Sequence, residues 1–243
     1  MIYLKDFSTE SDYLAYRDGS SYLKPNVSLS DDNGNVYYNY PPKPKANGHD
    51  YVDLGLPSGT LWATMNVGAS KPSDAGLYFQ WRDTSGYTAS QVGTGDGQKK
   101  FASDWSDYKW YSNGGFTKYK TTGATLELED DAAHVNMGGD WHMPTPDQIQ
   151  ELIDNTTNTW TTQDGVNGRL FTSKKNGKSI FIPAAGLAWG GSVHNSGGYG
   201  YVWSSLLSAS NVDSGQNLYF GSDNASLYYG NRNSGFSVRG VLG

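Results

Sequence analysis

The sequence predicts an α+β fold built from short antiparallel strands with one or two helices. Among its 243 residues are 31 Gly and 18 Tyr, and Ser, Asn and Asp recur in long runs. This composition is typical of short strands joined by many turns rather than of a helical bundle. Trp, Tyr and Phe make up 14% of the chain, so we expect a core that is rich in aromatic rings.

Residues 1–40 form a distinct N-terminal segment, which we interpret as an attachment or oligomerisation element. A polar helical pattern covers about residues 8–16, and two alternating runs flank the turn sequence Asp31-Asp-Asn-Gly34. Alternation on both sides of an Asn-Gly turn predicts a β-hairpin. A hairpin of this size is marginal alone, so we expect it to pack on the main domain or on copies of itself, for example in a homotrimer.

Residues 41–49 contain three prolines and are predicted to be a stiff, extended linker. The main domain is predicted to cover residues 50–243. It opens with two short strand-like runs on either side of the turn Pro57-Ser-Gly59.

The clearest helical pattern in the chain begins at Thr145. This residue is a predicted N-cap, Pro146 stands at the first helical position, and Asp147 complements the helix dipole. An apolar stripe at helical spacing follows, which predicts a short helix packed on a sheet by one face. The stripe consists of Ile149, Leu152 and Ile153.

The stretch from Ser208 to Ser234 has the composition of a recognition surface. Nineteen of its 27 residues are Ser, Asn, Tyr, Gly or Asp. Tyr offers a large contact area at low entropic cost, and Ser, Gly and Asn offer adaptable hydrogen bonds. A polar loop or low-complexity tail is the alternative. Strand-like runs at residues 201–205 and 235–242 hold both ends of the stretch, so we expect a displayed face rather than disorder.

Charge and cysteine content exclude several classes of function. The formal net charge is −6 and Lys and Arg are not clustered, which argues against nucleic acid and membrane surfaces as partners. No stretch is long and apolar enough to insert into a membrane. The absence of Cys excludes disulfides, thiolate metal sites and cysteine nucleophiles. The N-terminus lacks the pattern of a signal peptide, so we expect synthesis without export through a secretion channel.

We expect no metal, no cofactor and no catalysis. The four histidines lack zinc-site spacing, and His142 is interpreted as a packed or capping side chain at the start of the helix. The acidic run Glu129-Asp-Asp131 is interpreted as a solvated turn. A glycosidase with carboxylates among Glu127, Glu129 and Glu151 is the less favoured alternative, since nothing in the sequence pairs two of them.

Four motifs in the main domain resemble a known family when taken in order. They are Tyr51–Ala69, Gly139–Thr145, Val202–Ser205 and Gly235–Arg239. Together they resemble the "major paralogous" surface domain of gut bacteria and their phages, over about residues 50–243. That domain is similar to the C-type lectin fold and, more distantly, to the formylglycine-generating enzyme, so the resemblance implies a C-type lectin-like fold.

The C-terminal motifs resemble the variable proteins of diversity-generating retroelements, which implies a hypervariable surface within about residues 201–239. In those proteins adenine-directed mutagenesis scatters Asn, Ser, Tyr, Asp and Gly over a fixed ligand-binding face. The resemblance implies that Trp203, Leu218, Phe220, Phe236 and Val238 are framework. The implied variable, ligand-binding set is Asn211, Asp213, Asn217, Tyr219, Ser222, Asn224, Ser226, Tyr228, Tyr229, Asn231 and Asn233.

The chain departs from this family pattern at a few points. Relatives often carry Cys where this chain has Met65 and Gly240, positions that we interpret as structural. The cysteine-dependent chemistry of the formylglycine-generating enzyme is excluded here. The calcium-binding tripeptides of many C-type lectins are also absent, which agrees with the expectation that no metal takes part.

These expectations describe a receptor-binding protein whose partner is a protein or glycan on a host-cell surface. Residues 25–29 and 35–39 resemble the start of structural proteins in gut-phage tails, which favours a component of the virion. A bacterial cell-surface adhesin is the alternative, and a carbohydrate-active enzyme is less favoured.

Overall fold

The computed structural model describes residues 44–101 and 104–243 in full. Of the N-terminal segment it describes the backbone of three strands, at residues 2–3, 28–30 and 36–38.

The described residues form many short strands and two α-helices. In chain order the strands are β1 (Ile2–Tyr3), β2 (Ser28–Ser30), β3 (Val36–Tyr38), β4 (Lys45–Ala46), β5 (His49–Asp53), β6 (Leu61–Ala63), β7 (Tyr111–Ser112), β8 (Gly115–Phe116), β9 (Thr156–Gln163), β10 (Val166–Ser173), β11 (Ser179–Pro183), β12 (Leu187–Trp189), β13 (Ser192–His194), β14 (Gly200–Leu207), β15 (Ser214–Phe220), β16 (Ala225–Asn231) and β17 (Val241–Leu242). The helices are α1 (Ala132–Met137) and α2 (Pro146–Asn155). Neither helix is long and apolar enough to cross a bilayer.

The predicted α+β class is wrong, because the described chain is mainly β. Residues 44–101 and 104–243 hold five small antiparallel sheets, and the two helices have only six and ten residues. The α2 pattern is strong but local, whereas the strands are short, Gly-punctuated and individually weak in sequence. A strong local helical pattern therefore led to an overestimate of the helical content. The predicted C-type lectin-like architecture belongs to the same fold prediction and is corrected with it.

The N-terminal hairpin is confirmed at the level of the backbone. Strands β2 and β3 pair antiparallel with Leu29 opposite Tyr37. A strand that the sequence did not predict, β1, joins the other edge of β3 with Ile2 opposite Tyr38. The helical pattern predicted at residues 8–16 and the turn at residues 31–34 lie outside the described residues.

The second half of the predicted linker at residues 41–49 is folded rather than extended. Lys45 and Ala46 pair with Asp50 and His49 across a two-residue turn. In that turn Asn47 and Gly48 have φ of 45° and 83°, the conformation that suits a tight hairpin. The β4–β5 hairpin then extends the sheet β4-β5-β6-β17, so this stretch belongs to the main domain.

The ends of the main domain meet in that sheet. Strand β17 pairs with β6 so that Val241 lies opposite Trp62, and both side chains are fully buried. Nearby, the Arg239 guanidinium donates to Ala63 O, Asn66 Oδ1 and Phe181 O at 2.9, 2.9 and 3.1 Å. Burial lowers the pKa of Arg239 to about 9, which leaves it cationic at neutral pH.

The start of helix α2 agrees with its sequence. The Thr145 hydroxyl accepts a hydrogen bond from Gln148 N at 3.2 Å, and Thr145 N donates to Gln148 Oε1 at 2.9 Å. This reciprocal pair is a capping box and confirms the predicted N-cap. Ile149 and Leu152 are fully buried, as the apolar stripe predicts.

The sheet β14-β15-β16 separates two hydrophobic clusters. Alternate side chains of a strand point to opposite faces. On one face Trp203 packs in a cluster with Trp81, Trp141 and Phe236. On the other face Val202, Leu218 and Phe220 pack with Ile149 and Leu152 of helix α2. The five predicted framework residues are all buried in these two clusters, so the central sheet is held from both sides.

Candidate ligand-binding face

Strand register determines which side chains share the face of the sheet away from helix α2. Tyr201 lies opposite Tyr219, which lies opposite Ser226. The next row of this face, which is closer to the start of β15, places Trp203, Asn217 and Tyr228 side by side. These two rows therefore share one face of the sheet.

Four tyrosines lie together on this side of the sheet, two exposed and two half-buried, and we call Tyr199, Tyr201, Tyr219 and Tyr228 the tyrosine face. The rings of Tyr199 and Tyr219 are stacked, with centroids 5.6 Å apart and planes 15° apart. Tyr219 also contacts Tyr201 at 5.4 Å and Tyr228 at 5.6 Å. Tyr199 is 41% exposed and Tyr228 is 58% exposed, so a row of mutually supported rings faces solvent.

The two half-buried members of the tyrosine face, Tyr201 and Tyr219, are uncharged at neutral pH. Burial raises the pKa of Tyr201, while a hydrogen bond to Asn195 opposes part of that rise. Burial also raises the pKa of Tyr219, and the neighbouring tyrosines add to the effect. Both hydroxyls stay protonated at neutral pH, so each can donate or accept a hydrogen bond.

The structure distributes the eleven predicted ligand-binding residues over three environments. Asn211, Ser222, Asn224, Tyr228, Tyr229 and Asn231 are exposed, Asp213, Tyr219 and Ser226 are half-buried, and Asn217 and Asn233 are buried.

Asn217 and Asn233 were predicted to be displayed, and this is wrong. Asn217 is 0% exposed because Trp203 and Tyr228 flank it in the sheet. Asn233 is 5% exposed, and its side-chain Nδ2 donates to Asp104 O at 3.2 Å while its backbone carbonyl accepts from Gln80 Nε2 at 2.9 Å. Their neighbours come from distant parts of the chain, so local alternation could not reveal their burial.

Tyr229 does not share a face with Tyr219 and Tyr228. It pairs with Gln216, one residue out of phase with the tyrosine face, so its side chain starts from the face that packs on helix α2. Its ring is still 50% exposed and its centroid lies 6.5 Å from that of Tyr228. Tyr229 therefore marks the edge of the surface rather than its centre.

The remaining predicted residues lie in loops at opposite ends of the sheet. Ser222 and Asn224 belong to the turn between β15 and β16, whereas Asn211 and Asp213 precede β15 beside Asn231. A seven-residue strand spans about 20 Å, so the two groups are separated by about that distance. The predicted set is thus two loop patches joined by the tyrosine face.

A buried arginine fixes each of these loops. At one end Arg169 Nη1 donates to Gly221 O, and its Nη2 lies 3.5 Å from Asp223 O. At the other end Arg232 donates to Val212 O at 3.2 Å and to Tyr119 O at 3.1 Å. The Arg232 guanidinium also lies 4.1 Å from the Phe116 ring centroid. Both arginines therefore tie the loops to the frame through backbone carbonyls rather than through the loop side chains.

Several aromatic residues at this surface are not among the predicted ligand-binding residues. Tyr199 and Tyr201 lie in the run Gly197-Gly-Tyr-Gly-Tyr201, where alternation with glycine was the available signal. A second group packs beside the Arg232 end: the Trp105 ring contacts Tyr111 at 5.4 Å and Phe116 at 5.0 Å. No local pattern connects that group to the C-terminal strands, since long-range hydrogen bonds bring them together.

The interpretation of the acidic run as a solvated turn is wrong for two of its three residues. Asp130 and Asp131 are buried. The carboxylate oxygens of Glu127, Glu129 and Asp130 lie within 4.8 Å of one another, a spacing that could hold a cation. Lys118 Nζ contacts all three, at 3.0 Å from Glu129 and 2.6 Å from Asp130, so the chain's own ammonium lies among the three carboxylates and offsets part of their charge.

The other residues considered for catalysis or metal binding have structural contacts. Glu151 accepts hydrogen bonds from Ser58 N and Ser58 Oγ at 2.8 and 2.6 Å. The ring nitrogens of His142 lie 3.0 Å from Met143 O and 3.2 Å from Gly243 O, so this side chain bridges the start of helix α2 and the C-terminus.

No family model, curated protein or solved structure matches this chain.

Proposed function

We propose that this protein is a receptor-binding protein that presents the tyrosine face and its two flanking loops to a molecule on a host-cell surface. The observation that carries the proposal is the row of stacked, solvent-facing tyrosines on a sheet whose opposite side is packed against helix α2. Tyr rings are common anchors of binding surfaces because they bury a large area with few rotatable bonds.

Rigidity of the frame supports this proposal. The rings of Tyr199, Tyr201 and Tyr219 constrain one another, and buried arginines hold the loops at both ends. A surface that is already ordered loses little conformational entropy on binding, so more of the contact energy appears as affinity.

We further propose that the surface is variable in the manner of diversity-generating retroelement proteins. Nine of the eleven predicted positions are exposed or half-buried, and the two loop patches contact the frame through their backbones. Side chains there can change without loss of those contacts. The proposed setting is a phage tail, with a bacterial cell-surface adhesin as the alternative of the same binding mode. A homotrimer through residues 1–40 would multiply weak contacts.

The proposal is tested by binding of the fluorescently labelled full chain to a panel of gut bacterial strains. We expect binding to one or a few strains, and a loss of about tenfold or more when Tyr199 and Tyr219 are both replaced by Ser. Val135→Ser is the matched control, since Val135 is 50% exposed on helix α1, outside the sheet β14-β15-β16. Absence of binding across the panel, or equal binding by the double variant, would overturn the proposal.

A further inference from the structure

The buried amide of Asn217 is the least expected feature of the sheet β14-β15-β16. Its side chain is 0% exposed, yet neither Oδ1 nor Nδ2 has a hydrogen-bond partner within the part of the chain that the structure describes. A buried polar group without a partner destabilises a fold, and such groups are rare. Asn217 carries two of them on one side chain.

Asn217 lies on the same face of the sheet as Tyr219 and Tyr228. Its register neighbours are Trp203, which is fully buried, and Tyr228, which is 58% exposed. Tyr219 follows two residues later on the same face and lies 5.6 Å from the Tyr228 ring. The exposed neighbour of Asn217 across the strands is therefore Tyr228, whereas the Trp203 side is closed to solvent.

A rotation of the Tyr228 side chain would uncover the amide. Exposed side chains change rotamer on the picosecond to nanosecond timescale, so this motion requires no change of the backbone. The hydrogen bonds between β15 and β16 hold Asn217 in place during that motion, since Asn217 pairs with Tyr228 through the strand ladder.

The chemistry around the amide defines a class of ligand. A carboxamide offers one acceptor and a donor group side by side, which matches two adjacent hydroxyl groups of a sugar, and the flanking tyrosine rings offer flat apolar surfaces. From Ser179 to Gly243 the charged residues are Asp213, Asp223, Arg232 and Arg239. Both arginines are 0% exposed, so this part of the surface offers no cation to an anionic ligand.

We infer that Asn217 is the buried hydrogen-bonding anchor of the ligand site, that Tyr228 covers it in the free protein, and that the ligand is a neutral glycan. This inference rests on the proposed receptor-binding function and gives that site a ligand class. Tyr199 and Tyr219 stack on the apolar face of the sugar, and the Asn217 amide fixes its orientation through adjacent hydroxyls.

The first test asks whether the Asn217 amide contacts the ligand. The melting temperature and the binding to cells are measured for each variant. Asn217→Val removes the unpartnered groups, so we expect the melting temperature to rise by about 2–4 °C. Binding to the recognised strain is expected to weaken about tenfold or more. Asn217→Thr keeps one hydroxyl at a similar volume and is expected to retain part of the binding. It also serves as the second variant if Asn217→Val does not fold.

Two outcomes would overturn the role of Asn217. A higher melting temperature with unchanged binding shows that the amide does not contact the ligand. A lower melting temperature for both variants shows that the amide is partnered within the folded protein.

The second test addresses the ligand class with the wild-type full chain. The recognised cells are treated either with periodate, which cleaves the carbon–carbon bond between adjacent hydroxyl groups of sugars, or with protease. We expect periodate alone to abolish binding, and soluble neutral hexose oligosaccharides to compete where sulfated ones do not. Binding that survives periodate but not protease identifies a protein ligand, which overturns the glycan inference and leaves the receptor-binding function standing. Absence of binding to every strain overturns that function itself.

Discussion

The Phe236 ring stacks on the Trp203 ring with centroids 4.0 Å apart and planes 24° apart. This contact joins the C-terminal segment to the central sheet, and Phe236 also lies 4.9 Å from Tyr201. The tyrosine face is thus supported from within by a second aromatic layer. A substitution that displaces this inner layer is therefore expected to displace the rings of the tyrosine face as well.

Gly230 provides the space for that stacking. A Cβ at this position would lie 2.4 Å from Phe236 Cε2 and 3.2 Å from Trp203 Cη2. We expect Gly230→Ala to lower the free energy of unfolding by about 1–3 kcal/mol, because the inner layer must shift to admit the methyl group. Gly115→Ala is the matched control, since a Cβ there meets nothing within 4 Å. Urea unfolding of both variants measures the difference, and equal midpoints would contradict the expectation.

Arg239 connects three segments of the chain through its guanidinium. A lysine cannot reach Ala63 O, Asn66 Oδ1 and Phe181 O together, because an ammonium is a single point rather than a planar fork. We expect Arg239→Lys to cost about 3 kcal/mol or more, since hydrogen bonds to a buried charge are lost. Thermal unfolding checks this, with the exposed Lys120→Met as control. Equal losses of stability in the Arg239→Lys and Lys120→Met variants would show that the planar geometry of the guanidinium is unimportant.

The cluster around Lys118 gives stability a defined dependence on pH. Burial acts to raise the pKa of Asp130, but hydrogen bonds from Lys118 and Tyr119 and the charge of Arg82 outweigh it and lower the pKa. A carboxylate with a lowered folded-state pKa stabilises the fold above its unfolded pKa of about 3.9, and this contribution is lost as the pH falls through the folded value.

We therefore expect Asp130→Asn to be less stable than the wild type at pH 6–7 and the difference to narrow as the pH falls below about 4. Asp131, whose pKa is raised by burial, is present in both proteins, so its own titration largely cancels in the comparison. Denaturant unfolding at several pH values measures the difference. A difference that is constant with pH would show that Asp130 does not titrate with folding.

The N-terminal segment is expected to set the oligomeric state. Strands β1, β2 and β3 form a sheet of only two- and three-residue strands, which is marginal alone. We expect the full chain to be a trimer and a chain that starts at Pro44 to be a monomer in light scattering coupled to size exclusion. The same number of chains per particle in the two proteins would contradict this role.

Features of the fold that depend on neighbouring residues in sequence could be predicted, and features that depend on distant strands could not. The Thr145 cap and the β2–β3 hairpin follow from spacing over a few residues. The burial of Asn217 depends on Trp203 and Tyr228, which lie on other strands. The face on which Tyr229 lies depends on the pairing register of β16, and a shift of that register by one residue would move every side chain to the opposite face. Composition alone predicted a displayed surface between Ser208 and Ser234, but it could not divide those residues between two faces and two loops.

If the protein binds a ligand as proposed, the separation of the two loops by about 20 Å has a consequence for how its binding specificity can change. Free-energy effects of substitutions more than about 10 Å apart, without shared partners, generally add. Arg169 holds one loop and Arg232 holds the other, and they share no hydrogen-bond acceptor. An improved 221–224 loop can therefore be combined with an independently improved 211–213 loop, so the number of distinct surfaces is the product, rather than the sum, of the two sets.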